Sequence, residues 1–319
     1  MTPETRPQVI LIAGPTASGK SAVALVLAGC LDGEIVNADS MQIYRELSVL
    51  TARPSARDMA RVPHHLYGIL GAAEACSAGM WLDLAVARIN DIHQRGRLAI
   101  VCGGTGLYLK VLGEGMAQIP EVPAAIVSEA EALYRTLGGD GFLQRLAALD
   151  APSAARLRPS DRQRLVRAFA VAQATGKSLS DWQGEQSAEP PVAARFFTLH
   201  LMPERAALYQ KIEGRFEAML EMGGLEEVRK LSELSLNASL PAMKALGVPE
   251  LIAVLQGDLD MEAALARAKQ TTRNLAKRQF TWFRNQGAAD LVLADFGANV
   301  YEPSFAALSE FLKLKAPVG

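Results

Sequence analysis

A phosphate-binding loop stands near the start of the chain and has the sequence Gly14-Pro15-Thr16-Ala17-Ser18-Gly19-Lys20-Ser21. The apolar residues 9–13 before it predict a buried strand, and residues 22–28 after it predict a helix. The glycines let backbone N–H groups approach phosphate oxygens, while the helix N-terminus and Lys20 add positive charge. Ser21 is placed to ligate Mg²⁺. The segment therefore predicts a strand, loop and helix in which all eight loop residues bind a di- or triphosphate.

The composition is that of an ordinary globular enzyme. The 319 residues are 50% hydrophobic and 21% charged, which is enough for a large core in one large domain or two smaller ones. The formal net charge of -1 means that any surface for nucleic acid must be local. Residues 1–8 contain no apolar signal region, and no run approaches the roughly 18 apolar residues of a membrane span. We therefore expect a cytoplasmic protein with no membrane partner.

The three cysteines are far apart in the sequence, at Cys30, Cys76 and Cys102. They form no Cys-x-x-Cys pair and have no histidine cluster of zinc-binding spacing beside them. We therefore expect buried, reduced thiols and no zinc site.

The first third of the chain alternates strand and helix signals, which predicts an α/β fold with a P-loop parallel sheet flanked by helices. Besides the first strand, residues 34–39 and 97–102 predict strands. Ligands of open parallel sheets bind beyond the carboxyl ends of the strands. Three such ends should therefore share one crevice, namely the phosphate loop, Asp39-Ser40-Met41-Gln42 and Gly103-Gly104-Thr105-Gly106.

The strand signals stop at about Gly113. Residues 123–137, 141–149 and 161–175 then predict successive helices, and strand signal returns over residues 195–202. We therefore predict a P-loop core made of residues 1–112 and 196–319, with an all-helical insertion domain of residues 113–195 between its two pieces.

The polar residues at the strand ends have more than one interpretation. An ATPase or GTPase usually has an apolar strand ending in an acid that organises magnesium and water, but the strand before Gly103 ends in glycines. Asp39 would act as a base facing the bound phosphate, or it would cap the next turn. Thr105 would donate a hydrogen bond to a phosphate oxygen, or its glycine neighbours would only form a tight turn. These residues predict phosphate binding without predicting phosphoryl transfer.

Basic residues are concentrated in two segments, and one further arginine lies on an apolar helix face. Five arginines and no lysine occur within residues 156–167, which suits either a solvated helix face or RNA phosphates. The predicted helix 261–286 interleaves basic and aromatic side chains, as RNA binding or an amphipathic helix would require. Arg215 falls on the apolar stripe of the predicted helix 203–221. It would pair there with a structural carboxylate or with the bound phosphates.

Taken in order, these motifs resemble the bacterial tRNA dimethylallyltransferases, also called tRNA isopentenyltransferases. The resemblance covers most of the chain, so a chance match of single motifs does not explain it. Besides the phosphate loop, it rests on residues 39–44, 51–55, 64–66, 103–109, 161–164, 215–220, 276–279 and 281–283.

The resemblance implies transfer of a dimethylallyl group from dimethylallyl diphosphate to the N6 amine of the adenosine just 3′ of the anticodon, in tRNAs that read codons beginning with U. Carbon–oxygen cleavage releases intact diphosphate, so the loop, Mg²⁺ on Ser21 and Arg215 need only stabilise a leaving group. The resemblance assigns proton removal to Asp39 and places Thr105 beside it in the catalytic set. It also implies a monomer.

The resemblance assigns the tRNA contacts as well. The flipped adenine would contact Asp39, Ser40, Met41, Gln42 and Thr105. The anticodon stem-loop would contact Gln163, Arg164, Leu165, Val166, Arg167, Lys277 and Arg278. Many members have an arginine near Val127, a glycine at Leu50 and tyrosines at Val248 and Leu275, where this chain departs from the common pattern.

Three other functions are compatible with a phosphate loop. An enzyme that prenylates free AMP would have no use for the helical insertion and the basic C-terminal helix. A small-molecule kinase would show ATP-dependent phosphorylation. A non-catalytic RNA-binding protein would not need Asp39, Lys20 and Thr105 together.

Overall fold

Six parallel strands form one sheet at the centre of the fold. The computed structural model describes residues 6–185 and 190–313. The strands lie in the order β3-β2-β4-β1-β5-β6. They are β1 (Gln8–Ala13), β2 (Gly33–Asn37), β3 (His64–His65), β4 (Leu98–Gly103), β5 (Arg195–Leu201) and β6 (Leu291–Leu293). Because β1 is central, the phosphate loop leaves from the middle of the carboxyl edge of the sheet.

Helices follow or precede each strand. No helix in the described ranges has both the length and the apolar character needed to cross a membrane. The helices are α1 (Lys20–Cys30), α2 (Ala56–Arg61), α3 (Ala78–Gln94), α4 (Gly106–Glu114), α5 (Ala124–Ala147), α6 (Ala151–Arg156), α7 (Arg162–Thr175), α8 (Leu179–Gly184), α9 (Arg205–Glu221), α10 (Gly224–Glu233), α11 (Val248–Gln256), α12 (Met261–Gln286) and α13 (Tyr301–Leu312).

The alternation of side chains along β1 explains why both faces of the sheet are covered. Val9 and Leu11 point into an apolar cluster with residues of α3, α9 and α12, whereas Ile10 and Ile12 point into a second cluster with α1 and α13. All four side chains are buried, as expected for a central parallel strand. This double burial makes β1 a rigid base for the loop that follows it.

The chain divides into two compact units. One comprises Met1–Gly113 and Pro191–Gly319 and contains the sheet, and the other comprises Glu114–Pro190 and contains α5–α8. The second unit has its own core, in which Phe142 and Leu165 are fully buried. Its predicted helices 123–137 and 141–149 lie on either side of Gly138 in α5, where a non-helical backbone with a φ of 66° interrupts the helix.

The predicted α/β fold with a parallel sheet is confirmed, with small shifts at the ends of its elements. The helix α1 begins at Lys20, so Lys20 and Ser21 lie in its first turn. Strand β2 ends at Asn37, so Asp39 lies in the loop beyond the strand. Both shifts bring candidate site residues to the carboxyl edge of the sheet.

The three cysteines have different environments. Cys102 is buried at the end of β4, Cys76 is half-buried, and Cys30 is exposed at the last position of α1. The expectation of a buried thiol is therefore wrong for Cys30, because the final turn of α1 is exposed to solvent.

Candidate active site

The phosphate loop connects the carboxyl end of β1 to the first turn of α1. Gly19 precedes the helix with a φ of 89°, a left-handed conformation that glycine adopts without strain. The backbone N–H groups of Lys20 and Ser21 lie in the first turn and have no helical acceptor. The side chain of Ser21 is exposed at this same end of the helix. The loop therefore offers free N–H groups and the positive end of a helix to an anion.

Lys20 carries the full positive charge of the loop. Its Nζ donates a hydrogen bond to the carbonyl oxygen of Pro15 at 2.7 Å. Burial lowers the pKa of its ammonium to about 8; the nearby carboxylate of Asp39 raises that pKa in part, and the guanidinium of Arg215 lowers it. The ammonium is thus incompletely compensated by the protein, and a bound anion would stabilise its charged form.

Arg215 on α9 lies beside the same loop. Its Nη1 donates to Oγ1 of Thr16 at 3.4 Å, and among the described residues it has no carboxylate within salt-bridge distance. Burial lowers the pKa of its guanidinium, whereas the charge of Asp39 raises it. Of the two partners expected for Arg215, the structural carboxylate is therefore not found among the described residues. An anion in the crevice remains as the partner.

Asp39 lies at the start of a tight turn beyond β2. Its Oδ1 accepts a hydrogen bond from the backbone N–H of Met41 at 2.8 Å. The next N–H, of Ser40, donates to Oγ1 of Thr105 at 2.9 Å, and the Thr105 hydroxyl is 3.3 Å from Oγ of Ser40. The second carboxylate oxygen of Asp39, Oδ2, has no hydrogen-bond partner within the described part of the chain. One oxygen therefore caps the turn, and the other is free for chemistry.

Two cavities adjoin each other at the carboxyl edge of the sheet. We call the first the phosphate-loop cavity, because it is lined by Gly19, Lys20, Ser21, Gln210, Lys211 and Arg215. We call the second the apolar cavity, because its walls include Met41, Leu50, Phe216, Met219, Leu246 and Leu275. Five residues line both, namely Thr16, Ala17, Asp39, Thr51 and Arg215. The pair suits a ligand with one anionic end and one apolar end, joined beside Asp39.

The phosphate-loop cavity has the donors for a metal ion that arrives with a phosphate ligand. Within the described residues, no group of three or more His, Cys, Asp or Glu side chains could hold a metal ion by itself. The hydroxyl of Ser21 and the carboxylate of Asp39 do line the cavity. Mg²⁺ prefers such oxygen ligands and takes its others from substrate phosphates and water. The residues therefore fit Mg²⁺ bound together with a diphosphate.

Comparison with known proteins identifies the family. The model of the IPP transferase family matches residues 42–286, and the isopentenyl transferase model matches residues 7–68. A tRNA dimethylallyltransferase of Rhodospirillum centenum is 58% identical over 287 residues, which are 90% of this chain and 91% of the relative. The chain belongs to the IPP transferase family.

Solved structures of similar proteins share the fold. A tRNA isopentenylpyrophosphate transferase from Bacillus halodurans is 30% identical, with a TM-score of 0.68 and with 97% of this chain and 99% of that chain covered. A eukaryotic dimethylallyltransferase acting on tRNA is 25% identical, with a TM-score of 0.83 and coverage of 98% and 81%. As a member of the IPP transferase family, the chain is a prenyltransferase that modifies tRNA.

Most residues predicted for the transfer site of this IPP transferase lie together. Five loop residues line the two cavities together with Asp39 and Arg215, namely Thr16, Ala17, Gly19, Lys20 and Ser21. The other three, Gly14, Pro15 and Ser18, line neither cavity. Thr105 also lies outside both cavities and holds the turn of Asp39. Gln42 differs from the expectation, because its Nε2 donates to the carbonyl oxygens of Thr51 at 2.9 Å and Ala52 at 3.1 Å. Its amide N–H groups therefore support the cavity wall and are not free to contact an adenine.

The residues predicted for stem-loop contact divide by burial. Leu165 and Val166 are buried in the core of the helical unit, so the expectation that their side chains contact RNA is wrong. Their neighbours on the outer face of α7 are exposed, namely Gln163, Arg164 and Arg167. On α12, Lys277 and Arg278 are exposed as well.

The glycines of the 103–106 loop have a different role from the one expected. A Cβ on Gly104 would lie 2.5 Å from Nε2 of Gln279, and one on Gly106 would lie 1.8 Å from Nε1 of Trp282. Both glycines therefore make room for α12. These two glycines therefore allow close packing of a helix, and not the approach of a ligand to the backbone.

Three residues of the site were assigned no role from the sequence, although Gln279 belongs to the motif 276–279. Gln279 contacts the phosphate loop, and Lys211 lines the phosphate-loop cavity. The Glu227 carboxylate accepts hydrogen bonds from the backbone N–H groups of Ser48, Val49 and Leu50 at 2.7 to 3.0 Å, which fixes the segment that lines the apolar cavity. Lys211 precedes Arg215 by four residues and so shares its helix face, which is a signal in the sequence. Gln279 lies in a family motif, and Glu227 has no signal of either kind.

Proposed function

We propose that this enzyme transfers the dimethylallyl group of dimethylallyl diphosphate to the N6 amine of the adenosine immediately 3′ of the anticodon, in tRNAs that read codons beginning with U. The observation that carries the proposal is the pair of adjoining cavities that share Asp39 and Arg215. The diphosphate would bind in the phosphate-loop cavity. The five-carbon chain and the adenine would meet beside Asp39, where the apolar cavity begins.

Stabilisation of the leaving group is the task of the phosphate loop. As the C1–O bond breaks, its electron pair stays on the diphosphate, and negative charge develops next to Lys20, Arg215 and the first-turn N–H groups of α1. Lys20 is suited to this role because burial leaves its ammonium with a pKa of about 8 and little compensation from the protein. Arg215 is suited because no carboxylate within the described residues pairs with it.

Proton removal is the task of Asp39. The lone pair of an adenine N6 is delocalised into the ring, so the amine must lose a proton as its new bond to C1 forms. Oδ1 of Asp39 is held by the N–H of Met41, which orients the carboxylate and leaves Oδ2 free to accept that proton. Thr105 would contact the base with its hydroxyl while its Oγ1 keeps the N–H of Ser40 in place.

A divalent metal ion, which we propose to be Mg²⁺, would bind with the diphosphate. The Ser21 hydroxyl, which lines the phosphate-loop cavity, would hold it. When bound, Mg²⁺ neutralises charge on the diphosphate and so makes it a better leaving group.

The tRNA would be bound by exposed basic residues. Extrusion of the adenosine from its stack costs about a few kcal/mol, which contacts in the pocket offset. Ser40 and Met41 would contact the extruded adenine. We propose the helical domain, residues 113–195, as the part that grips the anticodon stem-loop, through Gln163, Arg164 and Arg167, with further phosphate contacts from Lys277 and Arg278. We also propose that the enzyme acts in the cytoplasm as a monomer.

Labelled dimethylallyl diphosphate tests the proposal directly. The enzyme and Mg²⁺ would receive unmodified tRNA, AMP or ATP in parallel, and a matched tRNA with guanosine in place of the target adenosine would serve as control. We expect label on the unmodified tRNA, at the adenosine 3′ of the anticodon after nuclease digestion, and equal release of diphosphate. Label on AMP alone, on the guanosine control, or on no tRNA would contradict the proposal.

A further inference from the structure

The side chain of Gln279 bridges two loops that are far apart in the sequence. Its Oε1 accepts a hydrogen bond from the backbone N–H of Thr16 in the phosphate loop at 2.8 Å. Its Nε2 donates to the carbonyl oxygen of Gly104, just before Thr105, at 2.8 Å. One amide therefore uses its acceptor on the first loop and its donor on the second.

Each bridged loop carries one half of the proposed chemistry. Thr16 also accepts a hydrogen bond from Arg215, so its position affects the groups that would hold the diphosphate. Thr105 accepts the N–H of Ser40, so the position of its loop determines where the turn of Asp39 lies. The Gln279 bridge therefore sets the separation between the leaving group and the base.

The bridge lies between the Gly104 backbone and the apolar cavity. A Cβ on Gly104 would lie only 2.5 Å from Nε2 of Gln279. Thr272 and Leu275, at successive turns of α12, line the apolar cavity together with Gln279. The same helix carries Lys277 and Arg278 on its exposed side. The bridge thus joins the transfer site to the helix proposed to contact tRNA.

We propose that Gln279 is a positioning residue that holds the phosphate loop and the Thr105 loop at the separation that transfer requires. Its amide oxygen and nitrogen are both hydrogen-bonded to the two loops, so it would act on the reaction through them. Its loss should therefore lower kcat more than it raises the KM of either substrate, because a displacement of about 1 Å between reacting groups can cost about 100-fold. The catalytic part of this inference rests on the proposed function, whereas the bridge itself does not.

Gln279→Glu keeps the hydrogen bond to Thr16 and removes the hydrogen bond to Gly104. The carboxylate keeps an acceptor for Thr16 but places a second oxygen against the carbonyl oxygen of Gly104. When the carboxyl is protonated, its O–H can again donate to Gly104. Burial and a hydrogen bond from the protonated form to the Gly104 carbonyl oxygen should raise the pKa of this carboxyl above its ordinary value of about 4.3. We therefore expect the kcat of this variant relative to wild type to fall at least about tenfold at pH 8 and to recover in part toward pH 6, while each KM stays within about threefold. Gln279→Met, which can form neither bond, should show no recovery.

Gln270→Glu is the matched control, because it makes the same chemical change on an exposed part of α12. Its kcat ratio should stay near one at both pH values. A Gln279→Glu ratio that does not change with pH, a loss confined to KM, or a kcat loss matched by a loss of folded protein in denaturation would overturn the proposal.

Hydrogen exchange measured by mass spectrometry tests the bridge without turnover. In Gln279→Met, we expect faster amide exchange in both residues 14–21 and residues 103–106, and no such change in Gln270→Glu. Faster exchange in one loop alone, or in neither, would show that Gln279 does not join them. Failure of the proposed function would instead appear as wild-type enzyme that modifies no tRNA, with this exchange pattern intact.

Discussion

The affinity of the phosphate-loop cavity for a diphosphate should fall as the pH rises above 8. Burial lowers the pKa of Lys20 to about 8 in the free enzyme, and the negative charge of a bound diphosphate would raise it. Binding therefore takes up a proton above pH 8. If only the protonated ammonium binds well, the Kd at pH 9.5 should exceed the Kd at pH 7 by about 30-fold, or about 2 kcal/mol.

Calorimetric titration of the tRNA-free enzyme with dimethylallyl diphosphate measures this effect. The last ionisation of a phosphate ester lies near pH 6, so the charge of the ligand is constant over this range. Burial raises the pKa of Cys102 to about 12 and that of Tyr67 well above its usual value, so neither group titrates there. Ionic strength is held constant, because salt screens the interaction.

Lys20→Arg is the control for this titration. A guanidinium keeps its charge at every pH used, so the Kd of this variant should change little between pH 7 and pH 9.5. A wild-type Kd that varies by less than about threefold, or an equal pH dependence in the arginine variant, would refute the assignment of the charge to Lys20.

Two further predictions concern stability. His200 is buried against Phe283, and burial lowers its pKa, so the unfolded chain takes up a proton near pH 6.5 that the folded chain does not. The free energy of unfolding should therefore fall from pH 7.5 to pH 5.5, by at most about 1.4 kcal/mol per pH unit from this group. In urea titrations at several pH values, the free energy of unfolding of His200→Gln should change less with pH than that of wild type. An equal pH dependence in the two proteins would contradict this. Gly106→Ala should lower the free energy of unfolding by roughly 1–3 kcal/mol, because its Cβ would lie 1.8 Å from Nε1 of Trp282. Gly113→Ala, on the same helix with nothing within 4 Å of its Cβ, should be neutral or stabilising, and equal effects of the two changes in urea titrations would argue against this packing role.

The phosphate loop and its neighbouring strand ends were predictable because local chemistry determines them. Glycine spacing, an apolar run before the loop and a helix after it define the loop without any distant contact. Parallel strands bring their carboxyl ends to one edge, so the proximity of Asp39 to the loop followed from the fold class. What the sequence left open was whether Asp39 caps a turn or acts as a base. The structure gives one carboxylate oxygen to the turn and leaves the other available for the proposed base.

The contacts that α10 and α12 make with the site were not predictable in the same way. Gln279 and Thr16 are 263 positions apart, and a glutamine in a basic helix has no local signature of a bridge. Glu227 likewise reaches a segment 177 to 179 positions away. Contacts of this kind depend on how helices pack, which periodicity does not specify.

The error at Leu165 and Val166 has a different origin. The family motif is a continuous segment, whereas consecutive residues of a helix point in different directions. With 3.6 residues per turn, residues 163, 164 and 167 share the outer face of α7, whereas Leu165 and Val166 point into the core. The apolar side chains of Leu165 and Val166 already distinguish them in the sequence from the polar residues 163, 164 and 167.

The transfer rate of Asp39→Ala under single-turnover conditions tests the central claim that a carboxylate beside the two cavities removes the N6 proton. Loss of a general base costs about 10² to 10⁴ in rate. We predict a loss of this size or larger, with tRNA affinity in filter binding within about threefold of wild type. The free energy of unfolding should fall by no more than about 1 kcal/mol, for the lost hydrogen bond to the N–H of Met41. Transfer near the wild-type rate would contradict the claim. Loss of transfer together with loss of tRNA binding or folding would give Asp39 a structural role instead.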